Sequence, residues 1–136
     1  MSHASLVVSL PIADRPTAYR FYREGLGFEP VGEPAGDGIP EPLQFELGGG
    51  TRLVLVPAGG FGWVIGENEV AARGQSECVL GLGAQTDAEV VEVVERAREA
   101  GASIVTEPGQ QPLGFAAAFA DPDGHIWMVR AEASPA

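Results

Sequence analysis

The sequence predicts an α+β chain of two tandem βαβββ modules whose short strands form a curved, barrel-like mixed sheet cup. Three observations carry this expectation. Amphipathic helical stretches start at Asp14 and Thr86, about 70 residues apart, and end at Gly27 and Gly101 after a similar interval. Each is preceded by one apolar strand-like run and followed by three. With one helix per module, one face of each sheet stays uncovered, and two such faces can curl toward each other and enclose a cavity.

Ser5–Leu10 reads as the first strand, and Asp14 as the N-cap of a helix that tolerates Pro16 in its first turn. Ala18, Phe21, Tyr22, Gly25 and Leu26 fall on one helical face, and Gly27 suits the left-handed position that ends it. A Gly/Pro loop through Pro42 follows Phe28–Val31, then come strands at Leu43–Leu47 and Arg52–Val56 joined by Gly48-Gly49-Gly50. The second module repeats the order from a strand near Cys78–Leu82. A capping box at Thr86 and Glu89 opens its helix, which carries Val90, Val93, Val94, Ala97 and Gly101 on one face and a Glu92/Arg96 pair on the other. Strands at Ser103–Thr106, Phe115–Ala120 and Ile126–Arg130 complete it, the last two joined by Asp121-Pro122-Asp123-Gly124. The modules span 4–57 and 76–131 of one 136-residue domain, with a glycine-rich connection over 58–75.

Composition narrows the function. Eight basic residues against 19 acidic give a formal charge of −11, which repels nucleic-acid phosphates and anionic membranes and attracts cationic small molecules. All eight basic residues are arginine, so Schiff-base chemistry on lysine is excluded. The lone Cys78 excludes an intramolecular disulfide, and its apolar neighbours suggest a small buried hydrophobe. No apolar run is long enough to span a bilayer, and the first residues lack the order of a signal peptide, so the expected location is cytoplasmic.

Three segments carry a family resemblance: Phe21-Tyr22-Arg23-Glu24-Gly25-Leu26-Gly27-Phe28, Ala97-Arg98-Glu99-Ala100-Gly101-Ala102, and Phe119 through Trp127 around the Asp-Pro-Asp-Gly turn. In order and spacing the chain resembles the vicinal-oxygen-chelate superfamily, which includes glyoxalase I, extradiol dioxygenases, fosfomycin-resistance enzymes and bleomycin-binding proteins. The resemblance implies four His or Glu metal ligands, from the first and last strand of each module. Here those positions fall on Val7, Leu55, one of Cys78–Leu80, and Met128, none a hard or imidazole donor. The other candidates, His3, Glu46, Glu77 and His125, have blander explanations as terminal, strand-surface and turn residues. No metal and no cofactor is therefore expected.

Without ligands the cup floor becomes apolar. Val7, Leu53, Leu55, Leu80 and Met128 would line it, with Cys78 nearby and Ser9 and Arg130 as the polar groups available to orient a ligand. Strand alternation puts Ile126 and Arg130 with Met128, and Trp127 and Val129 toward the helix. The same residues could instead fill a closed core. In Gly59–Gly66, Phe61 and Trp63 suit an aromatic lid over a planar ligand, or a dimer contact. Two functions compete. One is a metal-free homodimeric protein that binds or sequesters an aromatic or cationic small molecule, as bleomycin-resistance proteins do. The other is a glyoxalase-like lyase, isomerase or dioxygenase with a displaced metal site. A metal-free enzyme is a third reading, with Glu46 and Arg130 as its nearest acid–base pair.

Overall fold

Asp14 begins the first helix as predicted in the computed structural model, which describes residues 6–66 and 68–132. Its Oδ2 accepts from the Thr17 backbone N–H and from the Thr17 hydroxyl, satisfying a donor that the first turn would leave orphaned. Helix α1 (Arg15–Arg20) runs into a π-helical turn over Phe21–Gly25. Gly27, at φ 72°, then lets the Phe28 N–H reach back to the Tyr22 carbonyl at 2.9 Å. The predicted single helix is thus two kinds of turn, and the predicted face is buried at Ala18, Phe21, Tyr22 and Gly25, with Leu26 half-buried at its end.

In this first unit β1 (Val7–Ile12) pairs in parallel with β4 (Arg52–Pro57), which is antiparallel to β3 (Leu43–Glu46), and that to the two-residue β2 (Glu29–Pro30). The sheet order is β1-β4-β3-β2. Leu10, Ile12, Leu43, Phe45, Leu53 and Leu55 are buried, as are Phe21 and Tyr22 of the helical segment. Tyr22 lies against Phe45 and Phe28 with ring centroids 5.9 and 5.8 Å apart, a spacing at which aromatic pairs attract beyond their area burial. The long loop after β2 is tied down by Arg15, whose guanidinium donates to the carbonyls of Pro40 at 3.1 Å and Ile39 at 3.2 Å.

Helix α2 (Ala58–Val64) occupies the place predicted for a flexible glycine-rich lid. Three glycines in seven residues each cost roughly 1 kcal/mol relative to alanine in a helix interior. Propensity alone therefore cannot hold this helix. It packs against β1 and β4, with Phe61 half-buried and a Cβ placed on Gly60 falling 3.7 Å from Val56 Cγ1, so tertiary contact supplies what propensity lacks.

The chain divides into two compact units between Ala72 and Arg73, inside the predicted connection. The second unit has sheet order β5-β8-β7-β6 from β5 (Val79–Ala84), β6 (Ser103–Gln111), β7 (Gly114–Ala120) and β8 (Ile126–Ala131). It is the same topology, with β5 parallel to β8 and the other pairs antiparallel. Helix α3 (Asp87–Glu99) opens on the predicted capping box: Thr86 Oγ1 accepts from the Glu89 N–H, and Glu89 Oε2 from the Gln85 N–H. It buries Val90, Val94 and Ala97; Val90 and Val94 cluster with Ala84, Ala117 and Val129 of the sheet. Among the described residues no helix is long and apolar enough to cross a membrane.

Candidate functional site

The face of each sheet turned away from its helix is the natural place for a ligand, and strand register fixes which residues stand there. In the first unit Val7, Arg52 and Glu46 form one row and Ser9, Val54 and Gln44 the next, because directly paired residues share a face. Leu10, Leu55 and Leu43 form a row on the opposite, helix-covered face, where Leu55 is 1% exposed. The expectation that Leu55 and Leu53 line the floor with Val7 is thereby corrected: both belong to the core under α1. Parity was the error, since Val54 rather than Leu55 lies beside Ser9.

The same correction applies once in the second unit. Leu80 pairs with Trp127, which is 1% exposed among the helix-side residues, whereas the partner of Met128 is Gly81. The face away from α3 carries the rows Val79, Ile126, Ala120; Gly81, Met128, Ala118; and Gly83, Arg130, Ala116. Met128 is half-buried and Arg130 exposed on this face, and Trp127 and Val129 point toward the helix, as alternation predicts. Cys78 is exposed just ahead of β5 rather than buried, because no sheet partner covers that end of the edge strand.

The two faces differ chemically. On the first, Arg52 donates to Gln44 Oε1 at 3.3 Å and pairs with Glu46 at 3.5 Å, leaving the Ser9 row half-buried and mixed in polarity. Both members of the ion pair are about two-fifths exposed, so it contributes roughly 0–1 kcal/mol and serves mainly to orient the Gln44 amide. On the second face, glycines and alanines surround Met128 and leave its thioether and the Arg130 guanidinium as the reaching groups. Neither Gln44 nor Arg52 was singled out from the sequence, nor were Gly81 and Gly83. The signal was present in Arg52-Leu53-Val54-Leu55-Val56, where the polar Arg52 marks the uncovered parity.

Phe61 and Trp63 both sit on α2, Phe61 half-buried and Trp63 86% exposed. Because Gly60 approaches Val56, which shares parity with Val54, α2 meets the first sheet at the end of its uncovered face.

The Asp121-Pro122-Asp123-Gly124 turn sets the entry into β8. Asp121 is 2% exposed, and its Oδ1 accepts from the Asp123 N–H at 2.9 Å and the His125 N–H at 2.8 Å. Gly124, at φ 92°, makes the turn, and the Asp121 N–H donates to the His125 carbonyl at 2.9 Å. The register that presents Met128 and Arg130 follows from this bend. Arg73, at the start of the unit, donates to the Pro122 carbonyl over the same turn.

A sequence model of the glyoxalase/bleomycin resistance protein/dioxygenase superfamily matches residues 3–129. The chain belongs to that superfamily. Among solved structures it is similar to a hypothetical protein from S. aureus, at 26% identity and TM-score 0.80 over 97% of this chain and 95% of that one. It is also similar to a glyoxalase-related enzyme from Fulvimarina pelagi, at 27% identity and TM-score 0.79 over 96% and 89%. A glyoxalase/bleomycin resistance protein from a Streptomyces species matches at 28% identity and TM-score 0.60 over 93% and 99%. A comparison with curated proteins gives no match.

The superfamily fold implies metal ligands on the first and last strand of each module; on the uncovered faces the expected positions correspond to Val7 and Val54 in the first unit and to Val79 and Met128 in the second. Met128 pairs with Gly81 as Val54 pairs with Ser9, so the two pairs occupy equivalent places in the two modules. Val7 and Val54 offer no hard or imidazole donor in the first unit and Val79 and Met128 none in the second, so these residues do not fit the metal. Among the described residues no group of three His, Cys, Asp or Glu could hold one. His3 lies outside the described residues, and Glu46 is committed to Arg52.

Proposed function

We propose that this superfamily member binds a small organic molecule without a metal, using the uncovered sheet faces. What supports the reading is that Val7 and Val54 in the first unit and Val79 and Met128 in the second stand on the uncovered faces where the resemblance puts hard or imidazole donors in metal-dependent relatives. Glycine and alanine around Met128 leave room for an apolar or aromatic body in the second unit, and in the first Ser9 is the polar group beside Val54. The net charge of −11 draws cationic compounds toward the protein. The 86% exposure of Trp63 on α2 supports its covering a ligand or meeting a second copy of the chain in a homodimer. Sequestration of a toxic compound in the cytoplasm is the role that such binding supports.

The test is elemental analysis of unchelated protein together with thermal-shift screening of aromatic and cationic compounds, followed by native mass spectrometry. Metal-free dimers stabilised by a compound, with affinity lost in Met128→Asp, support the reading. Near-stoichiometric metal whose removal abolishes a turnover overturns it in favour of lyase, isomerase or dioxygenase chemistry.

A further inference from the structure

A groove of about 520 Å³ lies across the end of the second sheet, between the start of α3 and the β6–β7 turn. Its volume is within the range that holds small ligands. Its lining combines three formal charges with an apolar wall. Arg130, Glu132 and Asp87 supply the charges, Phe115 and Leu113 the wall, and Gln110 an amide between them. Phe115 is anchored against the α3 core cluster, whereas Leu113 is 72% exposed at the tip of the β6–β7 turn.

Arg130 and Glu132 share a face, so their Cα atoms are roughly 6.6 Å apart at the strand rise of about 3.3 Å per residue. Gly83, the partner of Arg130, is what lets the Glu132 carboxylate settle beside it. A Cβ at position 83 would sit 2.5 Å from Glu132 Oε1. Among the described residues none of Arg130, Glu132 and Asp87 makes an ion pair or a side-chain hydrogen bond. Arg130, Glu132 and Asp87 thus line one groove, none of them held in an ion pair.

We infer that this groove binds a zwitterionic α-amino acid with a large apolar side chain, at a site separate from the Ser9–Val54 and Gly81–Met128 rows. The ligand carboxylate takes the fork of Arg130, which matches it with two parallel N–H donors. The ammonium goes to Glu132 and Asp87. At the start of α3 the Glu89 N–H already donates to Thr86 and the Gln85 N–H to Glu89, and Asp87 repels an anion there. The side chain covers Leu113 and lies on Phe115. A ligand with only one charge would leave one end of the groove unmatched.

The test is a ¹H–¹⁵N titration of the full chain with L-phenylalanine, its amide, which lacks the carboxylate, and its N-acetyl form, which lacks the ammonium. L-Phenylalanine should shift resonances of Asp87, Gln110, Leu113 and Arg130, with both analogues at least tenfold weaker. Glu132→Gln and Asp87→Asn should each weaken L-phenylalanine at least threefold, and the control Glu92→Gln on the outer face of α3 should not. Absence of shifts to 10 mM, shifts confined to other parts of the chain, or equal binding of all three compounds would overturn the inference. Neither result depends on what occupies the rows around Ser9 and Met128.

Discussion

Removing the Arg15 guanidinium should release the loop between β2 and β3. The side chain is 16% exposed and holds four groups together: the Pro40 and Ile39 carbonyls at 3.1 and 3.2 Å, Asp37 at 3.3 Å and Glu41 at 2.9 Å. The carboxylates are 46% and 60% exposed, so these ion pairs contribute little, about 0–1 kcal/mol each at most. Bonds from a charged donor to two carbonyls weigh more, about 1.5–3 kcal/mol each at full burial, and less where water can replace the donor. Arg15→Ala is therefore expected to cost about 2 kcal/mol, which moves a urea midpoint by roughly 1 M for a slope near 2 kcal/mol/M. Amide exchange should accelerate at Ala35 and Ile39, whose N–H groups donate to the Ile39 carbonyl and Asp37 Oδ1 within the same loop. Arg15→Lys keeps the charge but loses the fork, and should recover less than half of the loss. A cost no larger than that of an ordinary surface substitution, about 0.5 kcal/mol, with unchanged exchange at Ile39 would refute the clasp.

The turn before β8 should be nearly as sensitive: Asp121→Ala strips two backbone N–H groups of their acceptor at a buried position and is expected to cost about 2–3 kcal/mol, read by urea unfolding. Trp63→Ala should change stability by less than about 0.5 kcal/mol, because the ring is 86% exposed, while weakening any compound found by thermal shift; unchanged affinity would leave Trp63 to a dimer contact, read by native mass spectrometry. Acid should loosen two places together. The Thr17 hydroxyl and N–H hold Asp14 below its ordinary value of 3.8, and the Ile39 N–H, with Arg15 helping, does the same for Asp37. Since a carboxylate lowered on folding stabilises the native state above its ordinary value and stops doing so once protonated, both contributions are present above pH 3.8 and fade as pH falls through the lowered values. Asp14→Asn and Asp37→Asn together should flatten that acid limb.

What the sequence made legible was whatever depends on local chemistry. The Asp14 cap, the Thr86–Glu89 box, Gly27, Gly101 and the Asp-Pro-Asp-Gly turn each satisfy specific backbone groups, and the structure keeps them all. The floor residues were only half legible, because a one-residue error in strand parity exchanges the two faces of a sheet. Met128 and Arg130 share the face away from α3 that counting from the register-fixing turn predicts. Leu55 and Leu80 were misplaced by counting across stretches with no such marker. The α2 helix was hidden for another reason: Gly59, Gly60 and Gly62 argue against a helix locally, and only packing against β1 and β4 overrides them.

The paired rows show how the two modules have diverged under one topology. At equivalent positions the first sheet presents Arg52, Val54 and Gln44, and the second Ile126, Met128 and Ala118. Polar groups in the first are already engaged with each other through Arg52, so they offer directional contacts without an unpaired charge. In the second, small residues leave Met128 standing alone, and a flexible thioether adapts to more than one shape. A carboxylate at 128 alone would therefore not restore a metal centre, because Val79, Gly81, Ile126 and Ala118 around it on the same face carry no donor side chain. Met128→Glu is expected to bind zinc no more tightly than the parent in equilibrium dialysis. Binding tighter by tenfold or more would show that other donors reach this position, and that the uncovered faces are an altered metal site rather than an apolar one.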